Sequence, residues 1–178
     1  DLLKERSLEL GTPRRLASGD TSNYYVDGKM TAVYSGGAPL IGEVLYERTK
    51  DLDIDAIGGL EVGAVPLVTA TVINYHLHGR EMEGFWIRDK IKDHGTRKLV
   101  EGNLKHGSRV VIVDDVVTKG SSIIKAVQGV WEIGSEVVLV IALVDRLEGA
   151  AELFKAHGIV NYRPVFSITD LHILPILI

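Results

Sequence analysis

One run near the middle of the chain, Val110-Val-Ile-Val-Asp-Asp-Val-Val-Thr-Lys-Gly-Ser-Ser122, combines residue types that do chemistry together. A β-branched apolar stretch leads into two adjacent carboxylates, Asp114 and Asp115. Thr118, Lys119 and Gly120 follow, then Ser121 and Ser122, and helical spacing begins near Ile123. Carboxylates accept hydrogen bonds from neighbouring sugar hydroxyls. Loop N–H groups, hydroxyls and the positive end of a helix form a phosphate cup. Open α/β sheets bind ligands where their strands end, at the carboxyl edge. A strand that delivers two acids to that edge, beside such a cup, suits a ribose 5-phosphate.

A second run, Arg88-Asp-Lys-Ile-Lys-Asp-His-Gly-Thr-Arg-Lys98, is dense in charge and lacks apolar periodicity. Inside a compact domain such a stretch reads as a functional loop, or more plainly as a solvated one. Next to a phosphate cup, a cationic loop that closed over a pyrophosphate would exclude water and neutralise charge on a leaving group. Arg146 follows an apolar strand and Asp145, where an ordinary strand-end ion pair is the simplest expectation. His76 and His78 are two residues apart at a helix end, and helical neighbours need a spacing of three or four, so no metal site is read there. Trp86 and Trp131 are expected in the core or at an interface.

The elements that must hold these residues alternate. Helical spacing is expected over 2–10, a turn and short strand within 17–29, and a helix over Pro39–Lys50. A strand over Ile54–Gly58 leads to a helix over Pro66–His78 and a strand over Glu83–Ile87. Beyond the charged loop come strand 109–114, helix 121–134, strand 136–144, helix 147–157 and a last strand near 160–167. Strands alternating with helices at these lengths predict an α/β fold, a parallel sheet with helices on both faces. With 178 residues, one domain spanning 1–178 is expected.

Composition narrows the function classes. Net charge is −4, a mild acidic excess that argues against broad nucleic-acid affinity. With no cysteine, disulfides, thiolate catalysis and cysteine metal sites are excluded. The apolar run Val137–Val144 is far shorter than the roughly 20 residues a membrane helix needs. The opening Asp1-Leu-Leu-Lys-Glu5 lacks the regions of a signal peptide and begins without Met, so a trimmed, cytoplasmic metabolic enzyme is expected.

The central run resembles the phosphoribosyl-pyrophosphate (PRPP) motif of type I phosphoribosyltransferases. The magnesium-binding receiver fold also opens on a strand ending in two acids, but it keeps its Thr and Lys on later strands. Three further segments are similar to orotate phosphoribosyltransferases. They are Ser18-Gly-Asp-Thr-Ser-Asn-Tyr-Tyr-Val-Asp27, the loop with Arg88, Lys92, His94 and Gly95, and Leu143-Val-Asp-Arg146. The resemblance implies a type I fold with a small N-terminal hood over about 1–35. It also implies transfer of ribose 5-phosphate from PRPP to orotate. By the same resemblance PRPP meets Arg88, Asp89, Lys92 and His94 in the loop, and Asp114, Asp115, Val116, Val117, Thr118, Lys119, Gly120, Ser121 and Ser122 in the central run. Lys92, His94, Asp114 and Asp115 are the implied catalytic residues, and Tyr25, Thr118 and Arg146 the implied orotate contacts. Magnesium is expected to ride on PRPP, with no protein ligand. Loop 88–98 is expected to serve the neighbouring subunit of a homodimer. A purine phosphoribosyltransferase and a PRPP-binding regulator of the same fold are the alternatives. The chain departs from the family pattern at three places: Asp89 replaces a loop lysine, Ala17 replaces a lysine, and Gly63 stands where some members carry Lys or Thr. Each departure removes positive charge expected near a polyanion.

Overall fold

A computed structural model describes residues 1–15, 21–90 and 99–173. Its centre is a six-stranded sheet in the order β5-β4-β3-β6-β7-β8. The strands are β3 (Ala56–Leu60), β4 (Glu83–Ile87), β5 (Val100–Gly102), β6 (Arg109–Val117), β7 (Glu136–Asp145) and β8 (Phe166–Ser167). All neighbours run parallel except β4 and β5. The expected parallel sheet is therefore a mixed one. The antiparallel edge strand β5 escaped the periodicity argument because three residues carry no period. The expected last strand also shrinks to Phe166–Ser167, with one isolated bridge between Val140 and Tyr162.

Strands buried on both faces should be continuously apolar and β-branched, as β6 and β7 are. Their side chains alternate between two cores. Val111, Val113 and Ile141 join Leu45, Leu67 and Val68 on one side. Val110, Ile112 and Val140 join Ile123, Val127, Val130 and Phe154 on the other. The first side is covered by helices α3 (Ala38–Thr49) and α4 (Ala64–Leu77), the second by α5 (Ser121–Glu132) and α6 (Ala150–Ala156). Among the described residues no helix is long and apolar enough to cross a membrane.

At the N-terminus the helical spacing of 2–10 yields only a short helix, α1 (Leu2–Ser7). From Leu8 the chain enters β1 (Leu8–Arg15), which pairs antiparallel with β2 (Thr21–Val26) in a separate two-stranded sheet. Leu8 pairs with Val26 and Leu10 with Tyr24, a tertiary contact that overrides the local helical pattern. A short helix, α2 (Lys29–Ala32), then carries the chain to α3.

Two glycines let the central strands approach. A side chain at Gly58 would enter the Phe85 ring, and one at Gly59 would overlap the Val113 carbonyl and the Ala64 side chain. The β3 backbone thus lies against the part of β6 that precedes the two acids. Gly59→Ala should consequently destabilise the protein by about 1–3 kcal/mol through overpacking, measured by urea denaturation. A variant as stable as the parent would show that β3 and β6 can separate without cost.

Candidate active site

Asp114 and Asp115 do not end their strand; β6 continues for two more residues, and Asp114 is still in register with Ala142 of β7. Each acid is only 7% exposed. The Asp115 N–H donates to Asp114 Oδ1 at 3.0 Å. The turn around Gly28 and the loop from β3 to α4 press onto this pair, and at both a side chain would crowd the acids. A Cβ at Gly28 would stand 2.8 Å from Asp115 Cβ. One at Gly63 would collide with Asp115 Oδ1 and stand 3.1 Å from Asp114 Oδ1. Gly63, read from sequence as a lost cation, therefore also makes room for the Asp115 carboxylate as it stands here.

Beside the acids lies a cavity of about 190 Å³ lined by Lys29, Glu61, Val62, Gly63, Asp114, Asp115 and Ser122, among others. The Lys29 ammonium is 2.7 Å from Asp27 Oδ1 and 3.4 Å from Asp115 Oδ2. Burial alone would lower its pKa, but the hydrogen bond to Asp27 and the charges of Asp115 and Asp27 outweigh it, so the net shift is upward. Ser122 in the cavity wall belongs to the first turn of α5, which follows Gly120 at φ +90° and has no side-chain cap. Orphan N–H groups at a helix start are the donors a phosphate needs. A side chain at Gly120 would enter the Phe154 ring, so the cup's floor is packed onto α6.

The stem of the charged loop departs from expectation. Arg88 makes a two-pronged ion pair with Glu101 of β5, at 2.8 Å from Nε and 2.7 Å from Nη2. Asp89 accepts from Lys125 Nζ of α5 at 2.8 Å, and its N–H donates to Glu61 Oε1 at 3.2 Å. The hydrogen bond and charge of Lys125 lower the Asp89 carboxyl pKa. The negative charge that sequence reasoning set against a pyrophosphate is thus met by a cation from α5. Lys92, His94 and Gly95 lie outside the described residues, as do Ala17 and Ser18.

Arg146, at the end of β7, is 2% exposed. Its Nη2 is 2.8 Å from Glu148 Oε1, and its guanidinium lies over the Tyr24 ring at 4.5 Å. The expected aromatic wall was Tyr25, but Tyr24 faces Arg146, and strand alternation turns Tyr25 to the other side of β2. Thr118 is half-buried between β6 and α5. His78 stacks on Tyr46 at 4.0 Å, and among the described residues no group of acids and histidines could hold a metal ion. Trp131 is 45% exposed rather than in the core. Sequence reasoning missed Lys29, Glu61, Lys125 and Glu148. Of these only Lys29 carried a signal, standing two residues past Asp27 in the first motif.

Burial first, and the Asp115 charge second, push the Asp114 carboxyl up to about 8, from an ordinary value near 3.9. A raised carboxyl binds more protons in the folded state than in the unfolded one. Its contribution to stability is full below about pH 4 and is lost as pH rises through the folded value. Denaturant unfolding should therefore show the parent losing more stability between pH 5 and pH 8 than Asp114→Asn does. Equal losses would mean that Asp114 titrates normally.

A phosphoribosyl transferase domain model matches residues 32–161. The chain is 45% identical over 174 residues to the orotate phosphoribosyltransferase of Rhodopseudomonas palustris strain TIE-1, covering 96% of this chain and 92% of that protein. It is also similar in structure to Mycobacterium tuberculosis orotate phosphoribosyltransferase solved with Fe(III) dicitrate, with a TM-score of 0.82 and 38% identity, covering 97% of this chain and 95% of that one. A second structure of the mycobacterial protein, solved with PRPP, matches with a TM-score of 0.78 at 36% identity, over the same shares of each chain. With the paired acids, the glycine-bounded cavity and the uncapped helix start in family order, the chain belongs to the orotate phosphoribosyltransferases, within the phosphoribosyl transferase domain family.

Proposed function

We propose that this protein transfers the 5-phosphoribosyl group of PRPP to orotate, forming orotidine 5′-monophosphate and pyrophosphate in cytoplasmic pyrimidine synthesis. The observation that carries the reading is the pair Asp114 and Asp115, held at one wall of a cavity whose other wall is the start of α5. The acids accept from the ribose hydroxyls, while Thr118 to Ser122 and the helix N–H groups take the 5-phosphate. The C1–O bond to pyrophosphate breaks with its electron pair leaving on oxygen. The orotate ring nitrogen forms the new bond from the opposite face and releases its proton to solvent. Since little else moves, positioning and charge stabilisation supply most of the acceleration.

Arg146 is the orotate-recognising cation, with Tyr24 on its guanidinium as the neighbouring aromatic. Magnesium prefers phosphate oxygens, waters and one or two carboxylates. The ion would ride on the oxygens of PRPP and its waters, with no protein ligand, and would offset the charge of PRPP there. Lys92 and His94 meet the pyrophosphate, and the 88–98 loop serves the partner subunit of a homodimer under the N-terminal hood.

Incubation with PRPP, magnesium and single nucleobases tests the reaction. Orotate should be consumed with stoichiometric pyrophosphate release, and adenine, guanine and hypoxanthine should not. Purine turnover with inert orotate would move the chain to a purine enzyme, and PRPP binding without any turnover would make it a regulator. The shared loop has its own test, mixing inactive Lys92 variants with inactive Asp115 variants. Partial recovery is expected in mixed dimers, and its absence in verified mixtures would assign each loop to its own subunit.

A further inference from the structure

Ala17, Gly63 and Asp89 stand where the family resemblance leads to an expectation of positive charge, at 63 only in some members. In the loop stem Arg88 is held by Glu101 and Lys125 meets Asp89, while Lys90 is exposed and does not line the cavity. The cavity itself is acidic, with Glu61, Asp114 and Asp115 in its wall. A polyanion entering it needs a cation within reach, and among the described lining residues there is one, Lys29.

The local structure brings that ammonium to the site. Gly28 has no side chain to hold the turn away from Asp115, so the Lys29 stem starts one residue from the contact. The Lys29 N–H donates to Asp27 Oδ1 at 3.1 Å, and its ammonium pairs with the same carboxylate at 2.7 Å, which holds the cation at the cavity edge while the side chain remains 40% exposed. Lys29 Nζ approaches Asp115 at Oδ2, and Gly63 abuts Oδ1 of the same carboxylate. The ammonium is thus across the Asp115 carboxylate from the glycine that stands where some relatives carry lysine.

We propose that Lys29 is a diphosphate-binding residue of this site. Once the ribose hydroxyls engage Asp115, its ammonium keeps the Asp27 pair and exchanges the longer Asp115 contact for oxygens of the diphosphate. The inference rests on the PRPP reading above and adds a cation that the sequence motifs did not assign. It differs from a role in merely positioning Asp115, because a positioning residue would affect ribose and diphosphate binding together.

The test titrates the full chain by calorimetry with magnesium pyrophosphate and, separately, with ribose 5-phosphate. Lys29→Gln should weaken pyrophosphate binding about 10- to 100-fold, the loss expected for one charged hydrogen-bonding contact. Ribose 5-phosphate should bind within about twofold of the parent, and Lys29→Arg should restore most of the pyrophosphate affinity. Lys29→Met repeats the measurement if the glutamine variant melts early. Equal weakening of both ligands, unchanged pyrophosphate affinity, or no pyrophosphate binding by the parent would each overturn the proposal. Orotate turnover by the parent is assayed in parallel. If it binds pyrophosphate and leaves orotate untouched, the base assignment fails while the titration still decides Lys29.

Discussion

Two carboxylates, adjacent in sequence and both almost withdrawn from water, set the terms for everything around them. Placing an ionised acid in the interior is expensive unless it is paired or hydrogen-bonded, and two together repel. The chain meets this cost locally. Asp115 donates its N–H to Asp114, Lys29 stands by Asp115, and the pair takes up its second negative charge only at raised pH. A ligand with neighbouring hydroxyls supplies the missing donors.

The same pair explains the glycines. Gly28, Gly59 and Gly63 all border the end of β6, and at each a Cβ would strike β6 backbone or one of the acids. Small residues here are not loop filler. They let three separate chain segments converge on the end of β6. This also reinterprets Gly63, which looked from sequence like a missing cation. A lysine there would require the Asp115 carboxylate to move.

Charge across the site is redistributed rather than lost. Asp89 would repel a pyrophosphate if it stood alone, yet Lys125 meets it, one helical turn beyond Ser122 on α5. Exposed pairs of this kind are worth little in stability. Their effect here is geometric, tying the end of β4 to the helix that carries the phosphate cup. Arg88 is tied likewise to β5, the edge strand that closes the sheet beyond β4.

The sequence by itself determined the alternation of strands and helices, the two buried central strands, and the motif at 110–122. These signals are local. A β-branched run, a glycine before a helix and hydroxyls in between each express a conformational preference within a few residues. It also determined family membership, because four short motifs in order carry far more information than periodicity. Only the tertiary structure decided the rest. Strand β1 replaced the second half of an expected helix because Leu8 and Leu10 found partners in β2. Tyr24 rather than Tyr25 met Arg146, since which side of a hairpin faces the sheet is settled by packing. Lys29 and Lys125 met Asp115 and Asp89 only when folding brought them together. Charges paired across long stretches of chain leave no periodic trace, because a Coulomb interaction depends on distance in space and not on separation in sequence.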